Sequence, residues 1–343
     1  MNKKTFGKIK SGEEATLYRI SNGKVTADIS DYGATLVNVL VQVDDNQQLD
    51  VVLGYEDAAA YENNEGCFGA TVGRHANRIG DSTFFIEGIR YLLTPNENGN
   101  NLHSGPDYFY KRMWSVDEYS DNKIVLKLHS PDGDQGFPGS LDVFVTYEIT
   151  DDNMLKLIYE GTPDHATVLN MTNHSYFNLN GHNSGSILQH KVQFDAPHWS
   201  RVDDELIPTG ESVSVANTAM DFTQARAVKD GMAADTGEYN CKDGYDHNFE
   251  LESEGEFPKI GQVVGDISGL TMEIYTDLPA IQLYTGNYDE PLAGKEGAVY
   301  PKHSGMCLET QYVPNAINLS QYEAPLTEAD EKYHTVTGYR FIV

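Results

Sequence analysis

The sequence predicts an all-β protein, a sandwich or a barrel. Three observations carry this. More than a dozen short segments have strand character. Turn residues separate them about every 8–12 positions. Almost no stretch has helical periodicity.

The elements follow in order. Val25, Ala27 and Ile29 alternate with polar neighbours. Asp31-Tyr32-Gly33 then makes a turn before a strand over 34–41. The apolar run 49–55 reads as another strand, and 56–61 is a short helix-prone piece. Small residues in 68–73 lead to Arg74 and Arg78, and glycine there permits close backbone approach. A hairpin spans 82–93 with Glu87-Gly88 as its turn. The stretch 95–105 is a polar loop ending beyond His103. Strands follow at 124–128, 143–149 and 154–159, the last two joined across 150–153. Asp132-Gly133-Asp134 mimics a calcium loop, but Val143 stands where a bidentate glutamate is required, so it reads as a turn. Residues 187–194 read as a strand, 202–210 as a loop and 224–233 as a short helix. The last third gives strands at 270–276, 280–284, 305–311 and 335–343. No repeat, linker or composition break divides the chain, so residues 1–343 are expected to form one domain.

The net charge is −28, from 24 basic and 52 acidic residues. Nucleic acid, anionic membranes and heavily phosphorylated ligands each need a basic footprint, so none is an expected partner. Cys67, Cys241 and Cys307 are odd in number and form no CxxC pair, which suggests neither a disulfide framework nor a zinc site. With no signal peptide or membrane span apparent, a reducing cytoplasm is the expected setting.

The segment Asn170-Met171-Thr172-Asn173-His174-Ser175-Tyr176-Phe177-Asn178-Leu179 is dense in hydrogen-bonding side chains. These must find partners, water or a ligand, so the segment reads as the floor of a binding site. Nucleophile, P-loop and dinucleotide motifs are absent. What remains are polar residues at strand ends: Asn77, Arg78, His103, His174, Asp246, Gln282 and Glu309. Singly, each has a plain structural reading as a surface ion pair, a loop or core histidine, a turn cap or an edge residue.

Together they resemble one family. Gly73-Arg74-His75-Ala76-Asn77-Arg78-Ile79, Asn101-Leu102-His103, the segment 172–179, Gly244-Tyr245-Asp246-His247, Gln282-Leu283-Tyr284-Thr285-Gly286-Asn287 and Leu308-Glu309-Thr310-Gln311 are similar, in that order, to motifs of the galactose mutarotases, or aldose 1-epimerases. The resemblance runs from near residue 10 to the C-terminus. It implies a large antiparallel β-sandwich, the galactose mutarotase-like supersandwich, with a sugar cleft at strand ends. It also implies Glu309 as catalytic base, His174 as catalytic acid, and Asn77, Arg78, His103, Tyr176, Asp246 and Gln282 as sugar-binding residues. The expected ligand is a free aldohexose such as galactose or glucose, turned over without metal or cofactor by a monomer or homodimer. Two positions depart from the family pattern: His75, where an apolar or aromatic residue is usual, and Ser104, where glycine is usual. The residue types suit the chemistry, since anomer exchange needs a proton taken from the C1 hydroxyl and another given to the ring oxygen. Asp246 is expected to keep an imidazole charged. The rivals are a glycosidase using Asp246 with Glu309, a hexose-phosphate epimerase using Arg74 and Arg78, and a catalytically silent sugar-binding module.

Overall fold

Strand alternation along the chain resolves into three main antiparallel sheets. The computed structural model describes residues 2–343. The first sheet is a five-stranded meander of Asn2–Lys8, Glu14–Ser21, Val25–Ser30, Thr35–Gln42 and Gln48–Asp50, in sequence order. The second has nine strands, with Lys123–Ser130, Leu141–Ile149 and Met154–Gly161 running as consecutive hairpins. The C-terminal strand Tyr333–Ile342 enters the middle of that sheet, between Met154–Gly161 and Thr271–Thr276. The third sheet has six strands in the order Tyr176–Phe177, Met306–Gln311, Ala280–Tyr284, Asp246–Glu250, His198–Val202 and Pro208–Ser214.

One continuous apolar core joins the sheets. Ile20, Ala27 and Val39 enter it from the first, Val145, Leu157 and Tyr339 from the second, and Phe249, Leu283 and Leu308 from the third. The arrangement is the all-β sandwich expected from the alternation. The hairpin at 83–92 and the short helix Ala58–Tyr61 fall as expected. Glu87 and Gly88 have φ of 51° and 80°, the left-handed values a two-residue hairpin turn requires. Asp134 forms a forked ion pair with Arg112 and Asp132 accepts from the Gly139 N–H, so the calcium-like segment is indeed a turn.

Four expected boundaries move. The strand placed at 49–55 ends at Asp50, because Val51 and Leu53 donate to Val39 and Tyr176 across irregular backbone. The strand placed at 187–194 begins at Lys191, and the helix placed at 224–233 is Val228–Ala234. The loop placed at 202–210 already holds the start of the strand Pro208–Ser214.

The six-stranded sheet is covered on both faces, which positions the site. In Met306–Gln311 all residues are buried. Met306 and Leu308 face the main core. Period-two alternation sends Cys307, Glu309 and Gln311 to the other face. Register then aligns Asp246, Tyr284, Cys307 and Tyr176 in one row and Asn248, Gln282 and Glu309 in the next.

Candidate active site

Asp246, Tyr284 and Tyr176 of the first row and Glu309 of the second reach a cavity of about 210 Å³. Asn77, Arg78, His103, His174, Tyr176, Asp246 and Glu309 line it, so seven of the eight expected residues meet there. Gln282 does not line it. It lies beside Glu309 in the sheet and donates from Nε2 to Asp246 Oδ1 at 2.6 Å, holding that carboxylate from behind.

His174 and Glu309 face each other, with Nε2 to Oε1 at 3.7 Å and both side chains under a tenth exposed. Glu309 Oε2 is buried without a hydrogen-bond partner. Burial pushes the Glu309 carboxyl well above its usual range; Asp246 adds to this and Arg78 opposes it. Burial pulls the His174 imidazole down to about 4. Asp246 acts on His174 in the expected direction, but desolvation outweighs it, so the expectation of an imidazole kept charged by Asp246 is corrected.

Two partners fix Arg78. Nε and Nη2 fork onto Glu97 at 2.5 and 3.0 Å, and Nη1 lies 3.8 Å from Asp246 Oδ2. Burial disfavours the guanidinium charge, but Asp246 and Glu97 more than offset it.

Asn77 sits at φ 63°, a left-handed conformation that asparagine tolerates, and its Oδ1 accepts the Arg78 N–H. Its own main-chain N–H donates to His103 Nδ1 at 3.0 Å, and its carbonyl accepts the His103 N–H. A main-chain N–H can only donate, so His103 Nδ1 must accept, and the neutral ring carries its proton on Nε2.

That proton decides the question of a metal. One donor atom each from His103, His174 and Glu309 lies within 4.8 Å of the others. A metal on His103 Nε2 needs a bare Nε2, with Nδ1 donating outward. The Asn77 clip enforces the reverse, so the cluster does not fit a metal.

The segment 170–179 is different from the expected polar floor. Asn170 accepts from Tyr312 N, Thr172 donates to Thr310 O, Asn173 to Gly69 O, Ser175 to Asn173, and Asn178 to Ser304 O. These side chains stitch strands together, and within the segment only His174 and Tyr176 reach the cavity. Tyr176 packs edge-on against Phe68 with ring centres 4.8 Å apart.

Sequence reading missed Glu97, Cys307 and Tyr284, together with the 65–67 turn and Leu102 on the rim. Cys307 and Tyr284 were within reach, since each is two residues from an expected site residue on the same strand face. Glu97 left no such signal.

Both departures from the family pattern meet in one contact. Ser104 Oγ accepts the His75 N–H at 2.8 Å and donates to the His75 carbonyl at 3.0 Å. It ties the His103 loop to the segment bearing Asn77 and Arg78.

Fold and site together define a β-sandwich protein with a buried carboxylate–imidazole centre. Known proteins narrow this. The family model described as aldose 1-epimerase matches residues 16–340. The chain is 39% identical to human galactose mutarotase over 98% of its own length and 97% of the relative's. It is 34% identical to the aldose 1-epimerase of Escherichia coli K12 over 94% and 93%. Among solved structures, an aldose epimerase homologue from C. elegans superposes with a TM-score of 0.88 at 27% identity, covering 95% of this chain and 98% of the other. The chain belongs to the aldose 1-epimerase family.

Proposed function

We propose that the protein interconverts the α and β anomers of a free aldohexose, with Glu309 as general base and His174 as general acid. The observation that carries the reading is the Glu309–His174 pair, 3.7 Å apart where both line a small polar cavity, with Glu309 Oε2 unpartnered. Ionised Glu309 takes the proton of the C1 hydroxyl while His174 gives the Nε2 proton to the ring oxygen. The C1–O5 bond breaks, the C1–C2 bond rotates, and reclosure on the other carbonyl face returns both protons. Arg78, Asp246, Asn77 and the fixed Nε2–H of His103 offer donors and acceptors for the remaining hydroxyls. Tyr176 offers a ring to the sugar's apolar face. Galactose is the first substrate to test, since the mammalian relatives are named for it.

The hexose-phosphate reading lacks cations. Arg74 is fully buried and spends its guanidinium on Ser130, Pro131, Pro138 and Thr167. The Arg78 charge is already balanced by Glu97 and Asp246, although Nη1 keeps donors for a hydroxyl. A glycosidase would need Asp246 as its second carboxyl, and Gln282 and Arg78 already engage it. A silent binding module has no use for a buried acid–base pair.

Polarimetry on pure α-D-galactose and α-D-glucose tests the reading. Equilibration is expected to be far faster with protein than without. Glu309→Gln and His174→Asn are each expected to lower kcat by roughly 10²–10⁴-fold. Either variant folding normally with full activity overturns the assignment. A cytoplasmic, monomeric or homodimeric enzyme is the accompanying proposal, checked by fractionation and sedimentation.

A further inference from the structure

The cavity holds two histidines, and their second nitrogens face opposite chemistry. His103 Nδ1 meets the Asn77 main-chain N–H at 3.0 Å. His174 Nδ1 meets Cys307 Sγ at 3.3 Å, deep in the protein. The Asn77 contact can only be accepted, which leaves His103 Nε2 permanently protonated and unable to exchange its proton. A sulfur both donates and accepts weakly, so it permits the opposite arrangement at His174.

Proton exchange at the sugar imposes that arrangement. When the His174 imidazolium gives its Nε2 proton to the ring oxygen, the ring left behind must keep its proton on Nδ1. Only then is Nε2 bare to recover the proton on reclosure. Nδ1–H therefore needs an acceptor in both halves of the cycle, and Sγ of Cys307 is the side-chain atom in place, next to the residue's own backbone.

We infer that Cys307 is a positioning residue, its sulfur accepting the His174 Nδ1–H so that Nε2 is the nitrogen whose proton comes and goes. This rests on the role given to His174 above. Asn77 and Cys307 thus divide the labour of the two imidazoles, His103 as a fixed donor and His174 as a proton exchanger. The backbone supports this. Cys307 and Glu309 share one face of one strand, and Cys307 is in register with Tyr176, two residues from His174. One short segment carries both the base and the acceptor that orients the acid. A thiol sulfur is also a weaker acceptor than a carboxylate. It fixes the ring without stabilising the imidazolium strongly, so the lowering that burial imposes on His174 is left in place and the ring stays a strong acid.

Ring-nitrogen NMR on ¹⁵N-histidine-labelled protein reads this directly. In the neutral rings, His174 is expected as the Nδ1–H tautomer and His103 as Nε2–H. The wild-type spectrum needs no variant and no substrate. Finding His174 as Nε2–H overturns the inference whatever the mutarotation rate. Cys307→Ala is expected to move His174 toward Nε2–H and to lower kcat about tenfold or more, within the roughly 10²–10⁴ a positioned acid contributes, with little change in KM. Cys307→Ser restores an acceptor and is expected to recover most of the loss. A folded Cys307→Ala protein with full kcat, or a folded serine variant no better than alanine, also overturns it. Neither result touches Glu309 or His174, whose own variants test the catalytic reading.

Discussion

At the scale of single residues, the site is governed by where one proton rests. Burial raises Glu309 and lowers His174, so the proton shared by the pair rests on Glu309 in the free protein. The proposed working form, carboxylate with imidazolium, is then the minor one. Its abundance is tuned by Arg78, whose charge pulls Glu309 back down. This fixes the pH dependence. Below the His174 value of about 4 the pair holds two protons and has no base. Above the raised Glu309 value it holds none and has no acid. A bell-shaped profile of kcat/KM is expected, with its alkaline limb reporting Glu309 and not the histidine. Arg78→Met removes the opposing charge, so Glu309 rises further. The alkaline limb should move to higher pH while the plateau falls. Polarimetric rates across pH measure both, and a limb that stays put in the variant rules out this coupling.

At the scale of elements, the site depends on loops pinned onto strands, and sequence shows the two unequally. Strands such as Lys123–Ser130 and Leu141–Ile149 announce themselves because one face is apolar and the other is mostly polar. The six-stranded sheet breaks that rule, since Glu309 and Gln311 are buried and polar, beside buried Cys307, on the face away from the main core. Alternation there signals two buried faces of different chemistry; Glu309 stood out as a carboxylate in an apolar run, and only the family resemblance gave it a role. The strand Asp246–Glu250 went unread for the same reason. The polar groups at 170–178 looked like ligand contacts because their strand partners, up to 142 residues away, leave no local trace. Glu97 was hidden because its pairing with Arg78 depends on how a loop closes. Ser104 is the pin whose consequence is testable. It sits at φ 59°, and its hydroxyl makes two bonds to the His75 backbone. Ser104→Ala loses both bonds and keeps the backbone strain, so a loss of roughly 1–3 kcal/mol is expected. Ser104→Gly loses the same bonds but relieves the left-handed strain, and should be milder by roughly 1 kcal/mol. Urea unfolding ranks them. Equal losses would mean the strain is not felt, and no loss in either would remove the pin.

At the scale of the whole molecule, the strongest physical signature is the number of imidazoles held neutral by burial. His75, His103, His174, His182, His190, His247 and His303 are all pulled below the ordinary value of 6.5, by burial first in each case. Only some have compensating partners. His190 spans the Leu179 N–H and Asp266, whereas both ring nitrogens of His75 are unpartnered. A histidine that protonates more readily unfolded than folded withdraws stability as pH falls below its unfolded value. The loss begins near 6.5 and runs to about 4 for His174 and His190, and to about 3 for His75. At about pH 5 each such fully buried ring costs up to roughly 2 kcal/mol, a sizeable part of a typical domain's stability. Asp31, Asp277 and Glu309 are raised and pull the other way, but they are outnumbered. The urea midpoint is therefore expected to be highest at or above neutrality and to fall steeply between about pH 6.5 and 4. His75 isolates the cause, because it lies outside the cavity lining and the family pattern favours an apolar or aromatic residue there. His75→Phe removes two unpartnered polar atoms and one titration. Its stability relative to wild type should be modestly higher near neutrality and should grow as pH falls toward 4, while mutarotation at neutral pH is unchanged. Parallel pH profiles for the two proteins would show that this buried ring is not among the groups that set the acid limit.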